Sequence, residues 1–149
     1  MWTSTLRNVF IVSALFTAVV LCSGCTGSQS SGSNTSAIYT DLTVEEFNQK
    51  IAEFRDRPND VTILDVRTPV EFEREHLRDA INLDVTAGVF RDRAARLDRN
   101  KTYLVYDQAG TRSATAATIL TELGFTRVYN LKGGITKWKS ANLPTVAGS

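Results

Sequence analysis

A chain of 149 residues with 42% hydrophobic residues, nine glycines and three prolines is long enough for one domain with a packed core and too apolar to be largely disordered. Its 17 Lys and Arg include Arg7, and the chain beyond that residue is neutral against its 16 Asp and Glu, which argues against a nucleic-acid stripe or a polybasic membrane patch. Both cysteines, Cys22 and Cys25, lie near the start, which excludes a disulfide framework or a thiolate zinc site in the body of the chain.

The opening residues read as a signal. Arg7 is a small positive region, and Val9 to Leu21 is apolar but shorter than the ~20 residues a spanning helix needs. Ser23-Gly24-Cys25 then resembles the end of a lipoprotein signal. Residues 1–24 are therefore expected to form a lipoprotein signal peptide, with Cys25 as the lipid-bearing first residue of the mature chain; plain secretion and an uncleaved anchor are the alternatives. This would hold the protein at the cell envelope, on the extracytoplasmic face of a membrane. Thr26 to Ala37 has no charge and no large apolar residue, so residues 25–37 read as the lipidated cysteine and a flexible Ser/Gly tether.

The domain is expected over 38–149. Ile38 to Thr40 reads as a short strand, and Thr43-Val-Glu-Glu46 as a capping box opening a helix with Phe47, Ile51 and Phe54 on one side. Pro58 and Asn59 turn the chain into a buried strand over Val61 to Val66. Pro69 suits the first turn of a short helix carrying Val70 and Phe72. Ile81 to Leu83 is a third strand. Val89 to Leu97 reads as a helix with Phe90, Ala94 and Leu97 inward, and with Arg91, Arg93, Arg96 and Arg99 alternating with Asp92 and Asp98 on a solvated face.

Thr102 to Tyr106 is a β-branched and aromatic run suited to a central strand buried on both faces, so at least one of Tyr103 and Tyr106 should pack inside. From Ser113, small and aliphatic residues (Ala114, Ala117, Ile119, Leu120, Leu123) recur at helical spacing up to Gly124, a C-terminal cap. Val128 to Leu131 is the last strand, and Gly133-Gly134 opens a terminal helix around Trp138. Alternating strands and helices imply a mainly parallel sheet with helices on both faces.

Between Tyr106 and Ser113 lies a tight loop, Asp107-Gln-Ala-Gly-Thr-Arg112, whose central Gly110 and following helix turn successive N–H groups toward one point. Such a loop is an anion cradle at the carboxyl edge of the sheet, and Asp107 stands at its mouth.

The loop, together with Leu64-Asp-Val-Arg67 through Ile81-Asn-Leu83 and Tyr129-Asn-Leu-Lys-Gly-Gly-Ile-Thr-Lys-Trp138, resembles the rhodanese family across Ile38 to Pro144. The resemblance implies a rhodanese-like α/β fold with a five-stranded sheet, and a cysteine at the position occupied here by Asp107. In an active rhodanese the cradle lowers the pKa of that thiol from about 8.5, making a thiolate that carries sulfane sulfur. A carboxylate is a hard oxygen anion that cannot form the persulfide, but it can accept the cradle's hydrogen bonds itself. No other thiol is available in the domain.

The ligand-binding candidates are Asp107, Gln108, Ala109, Gly110, Thr111 and Arg112, gathered with Arg67 and the Gly133-Gly134 turn around one shallow pocket. Asp65, Arg67 and Glu71 are expected to brace the loop, and Arg112 to pair with Asp107 or Asp65. His76, the single histidine, reads as a hydrogen-bonded turn residue. No catalytic residue, cofactor or metal is expected. The sequence alone thus suggests a module without sulfurtransferase activity, tethered to a membrane through Cys25 and binding a small ligand or protein partner, with no role for nucleic acid. The alternative is sulfur handling with a thiol supplied by a partner or substrate, because the four residues between Asp107 and Arg112 match the spacing of the family's sulfurtransferases. A third reading makes Asp107 an aspartyl-phosphate nucleophile, but its charge would compete with phosphate for the cradle.

Overall fold

Strands and helices alternate along the computed structural model, which describes residues 39–148. The signal peptide expected at 1–24, the tether at 25–37 and the lipid site at Cys25 lie outside the described residues. The elements are β1 (Thr40–Leu42), α1 (Val44–Glu53), β2 (Val61–Asp65), α2 (Pro69–Arg74), β3 (Ala80–Asn82), α3 (Phe90–Ala94), β4 (Thr102–Tyr106), α4 (Thr111–Glu122), β5 (Val128–Leu131) and α5 (Gly134–Ser140). The five strands form one sheet in the order β1-β5-β4-β2-β3, and every pairing is parallel.

β4 takes the centre, and all five of its residues are buried. Leu64, Tyr103, Val105 and Val128 face one layer, where Phe90 and Ala94 of α3 and Ala116, Ala117 and Leu120 of α4 cover them. Ile63, Leu104, Tyr106 and Leu131 face the other, against Phe47 of α1 and Ile135 and Trp138 of α5. Helices thus cover both faces, and Tyr103 and Tyr106 are both fully buried. The small side chains of Ala116 and Ala117 let α4 lie close on the sheet.

Local chemistry explains the element ends. The Thr43 hydroxyl accepts the Glu46 N–H and the Glu46 carboxylate accepts the Thr43 N–H, so α1 begins with a reciprocal capping box. A second box, between Thr68 and Glu71, starts α2 around Pro69. Val70 is 68% exposed, whereas Phe72 turns inward and stacks on His76. The helix expected over 89–97 stops at Ala94, so Arg96 and Arg99 lie beyond it, and Arg99 Nε donates to the Leu123 carbonyl at the end of α4. The two edge strands are each displaced from expectation. β3 starts at Ala80, straight after the left-handed turn at Asp79, and β1 runs to Leu42 because its ladder with β5 ends at Leu42 opposite Leu131.

β2 and β4 pair with Asp65 opposite Tyr106. Both strands therefore end at the same level on the carboxyl edge of the sheet, and the residues that follow, Arg67 and Asp107, emerge side by side.

Candidate functional site

Asp107 leaves β4 only 2% exposed, and its carboxylate lies inside the loop that follows it. The Gly110 N–H and the Ser113 hydroxyl donate to Oδ1, the latter at 2.8 Å, and the Arg112 N–H donates to Oδ2 at 3.2 Å. Burial pushes the carboxyl up, but the bonds from Ser113, Gly110, Arg112 and the Ala109 backbone outweigh it and hold the pKa below the ordinary carboxylate value. The group is an internal anion.

The loop's shape is set from outside. Its carbonyls face α5, where the Ile135 N–H donates to Asp107 O at 2.9 Å and the Thr136 N–H donates to Gln108 O at 3.2 Å. Gly110 has φ of 98°, and a methyl group there would meet the Gly133 nitrogen at 2.8 Å. At Gly134 a methyl group would collide with the Asp107 carbonyl and the Gln108 backbone. One edge of the loop therefore caps α5 while the other wraps the carboxylate.

Beneath it, Arg67 and Asp65 form a fully buried pair, with Arg67 Nη2 at 2.6 Å from Oδ2 and Nε at 3.0 Å from Oδ1. Burial lowers the Arg67 pKa, but the bonds to Asp65 more than compensate, so it stays cationic. Its guanidinium also donates to Glu75 O at 2.6 Å and reaches within 3.5 Å of Gln108 Oε1. The Asn82 amide donates to the carbonyls of Asp65 and Arg67 and fixes the turn.

Arg112, expected on Asp107 or Asp65, pairs mainly with Glu71, Nη2 to Oε1 at 2.8 Å, while its Nε lies 3.5 Å from Asp107 Oδ2. Asp65 is taken by Arg67, and the Thr68 box points Glu71 at the loop. Hydrogen bonds from Arg112 hold the Glu71 carboxyl at a pKa of about 2.

Gln108, Ala109 and Thr111 are exposed. A hollow beside the loop, on its α5 side, is lined by Gln108, Thr136, Lys139 and Ser140. His76 bonds through Nδ1 to Phe72 O at 2.9 Å and bridges Val146 by its backbone. Trp138 is buried and its Nε1 donates to Pro144 O.

The sequence reading did not assign Ser113 a place on Asp107, nor Ile135 and Thr136 a place on the loop. α4 begins two residues before the expected start, which turns Ser113, Ala116, Ala117 and Leu120 inward as one stripe. That spacing was the available signal.

The family model for the rhodanese-like domain matches residues 43–141, which contain every element of the site. The chain belongs to the rhodanese family. A protein named sulfurtransferase from Allochromatium vinosum is 32% identical over 69% of this rhodanese and 91% of its own length. The thiosulfate sulfurtransferase PspE of Escherichia coli K12 is 39% identical over 57% of this chain and 78% of its own. The solution structure of the rhodanese-like domain of the Anabaena Alr3790 protein superposes with a TM-score of 0.62 at 25% identity, covering 72% of this chain and 78% of that one.

These relatives correct the expectation that the domain lacks enzymatic activity, since both named proteins point to sulfurtransferase activity. The expectation rested on the group at position 107 and on the lack of another thiol in the domain. A carboxylate there removes a covalent carrier of sulfur, but sulfur exchange between two bound reactants needs no carrier on the protein.

Proposed function

We propose that this rhodanese domain handles sulfane sulfur, with the acceptor thiol supplied by a partner protein or a small-molecule substrate. The observation that carries the reading is the similarity to a thiosulfate sulfurtransferase across a domain whose site loop keeps the family's four-residue spacing. In the transfer, a thiolate attacks the outer sulfur of thiosulfate. A new S–S bond forms to the acceptor, the S–S bond within thiosulfate breaks, and sulfite leaves with the electron pair. The acceptor becomes a persulfide, its thiol proton having passed to solvent, and no further oxidant or reductant enters.

Asp107 is poorly suited to act as the base, because its carboxylate is buried, hydrogen-bonded and held below its usual pKa. Its contribution is to satisfy the inward-pointing N–H and hydroxyl donors of the loop. We further propose that the chain is lipid-anchored through Cys25 and works on the extracytoplasmic side of a membrane, supported by the apolar segment ending in Ser23-Gly24-Cys25.

The purified full-length chain is incubated with thiosulfate and the monothiol glutathione, and sulfite release is followed beside mass detection of the persulfide after alkylation. Turnover above the uncatalysed exchange and above a heat-denatured control is expected; a rate equal to both overturns the reading. For the anchor, Cys25→Ser is expected to move the protein from the membrane to the soluble fraction and to abolish the diacylglyceryl mass at the mature N-terminus.

A further inference from the structure

Thiosulfate carries negative charge, and the loop has already committed its donors. Gly110, Ser113 and the Arg112 N–H all point at Asp107, and the Arg112 guanidinium lies between Glu71 and Asp107. A dianion placed there would meet two carboxylates and find few unpaired N–H groups.

The hollow of about 380 Å³ on the α5 side offers a different chemistry, because Gln108, Thr136, Lys139 and Ser140 all carry hydrogen-bond donors. Gln108 is oriented rather than loose. Its Oε1 faces the Arg67 guanidinium at 3.5 Å, while Nε2 donates to Thr136 Oγ1 at 2.8 Å, and that hydroxyl donates to Gln108 O at 2.8 Å. One amide N–H is left over. Lys139 Nζ binds Glu75 Oε1 at 2.7 Å, and with its side chain 48% exposed the ammonium keeps two further N–H groups for a ligand. Ser140 donates to Thr136 O at 2.9 Å and can turn outward.

We propose that this hollow holds the sulfonate end of a sulfur-donor oxyanion, thiosulfate before transfer and sulfite after it. The inference rests on the sulfur-handling reading above. Lys139 supplies the charge and Gln108 a directed amide, next to the loop, and neither Asp107 nor Glu71 lines the hollow. Glu75 competes for Lys139, so removing its charge strengthens binding.

The test uses sulfite, which has the anionic end without a transferable sulfur. It is titrated into the isotope-labelled full-length chain, followed by NMR, with chloride at equal ionic strength as control. Saturable shifts centred on the Gln108 side-chain amide and residues 136–140 are expected. Lys139→Met is expected to weaken binding roughly 5- to 10-fold, Lys139→Arg to restore much of it, and Glu75→Gln to tighten it about threefold. Shifts centred on Gly110 and Arg112, or a linear response equal to that with chloride, overturn the proposal. The two readings fail separately. Sulfur transfer with an unchanged KM for thiosulfate in Lys139→Met sinks the anion hollow alone. Saturable sulfite binding there without any transfer sinks sulfur handling alone.

Discussion

Arg112 and Glu71 close on each other through two parallel hydrogen bonds, Nη2 to Oε1 at 2.8 Å and Nη1 to Oε2 at 3.1 Å, joining residues 41 apart in the sequence. The pair ties the start of α4 to the start of α2 and sets the outer wall of the loop. Each partner is about 30% exposed, so the pair is more shielded than a surface ion pair.

This pair makes the domain acid-sensitive. The Glu71 pKa falls from 4.5 to about 2 on folding, so its stabilisation is complete above about pH 4.5 and is lost as the pH drops toward 2. Glu71→Gln is expected to cost ~1–2 kcal/mol at pH 7 and to flatten stability between pH 5 and 2. Urea midpoints across that range are the measurement, and equal slopes in the two proteins would contradict it. Asp107 contributes in the same direction, so some acid sensitivity remains in the variant.

Removing the carboxylate at 107 should create an anion site. In Asp107→Ala the Gly110 and Arg112 amides and the Ser113 hydroxyl lose their acceptor, at ~1–3 kcal/mol for each donor left unpaired. Phosphate or sulfate is expected to raise the Tm of the variant with concentration by more than it raises that of the parent, since both proteins keep the hollow beside α5 and only the variant gains the emptied loop. Parallel melts of both proteins decide the matter.

Asp107→Cys should gain an activated thiol. The same donors would favour a thiolate with a pKa below the free value of about 8.5. The variant is expected to be alkylated by iodoacetamide at pH 6–7 faster than a free thiol and to take up one sulfur from thiosulfate, read as a 32 Da gain by intact mass. Slow alkylation in a protein that keeps the parent's circular dichroism would refute this.

Gly134→Ala tests the outer support of the loop. With φ of 58° and the Asp107 carbonyl and Gln108 backbone in the way, the methyl group must displace the loop or α5. A loss of ~2–4 kcal/mol in denaturant unfolding is expected. Gly88→Ala, where no neighbour comes within 4 Å, should cost far less and serves as the control.

The rhodanese fold was largely legible because its signals are local and repeated. Val61 to Asp65, Thr102 to Tyr106 and Val128 to Leu131 are short apolar runs that had to be inner strands, and Thr43 with Glu46 announced α1. Where elements meet solvent the signal weakened, and the edge strands β1 and β3 and the short α3 were displaced or shorter than expected. In the site, the loop and the position of Asp107 were readable from spacing. The pairing of Arg112 was readable only in part: Asp107 is a partner at 3.5 Å, but the shorter bond goes to Glu71, which the packing of α2 against the loop brings within reach. The expectation of no activity rested on one substituted side chain and the lack of another thiol, whereas the relatives named sulfurtransferases are similar across the surrounding domain.

The grip of α5 on the Asp107 and Gln108 carbonyls makes the loop's contour independent of whatever occupies its interior. A residue exchange at the strand end alters reactivity while the scaffold stays rigid, so chemistry and architecture in this domain can diverge along separate evolutionary routes.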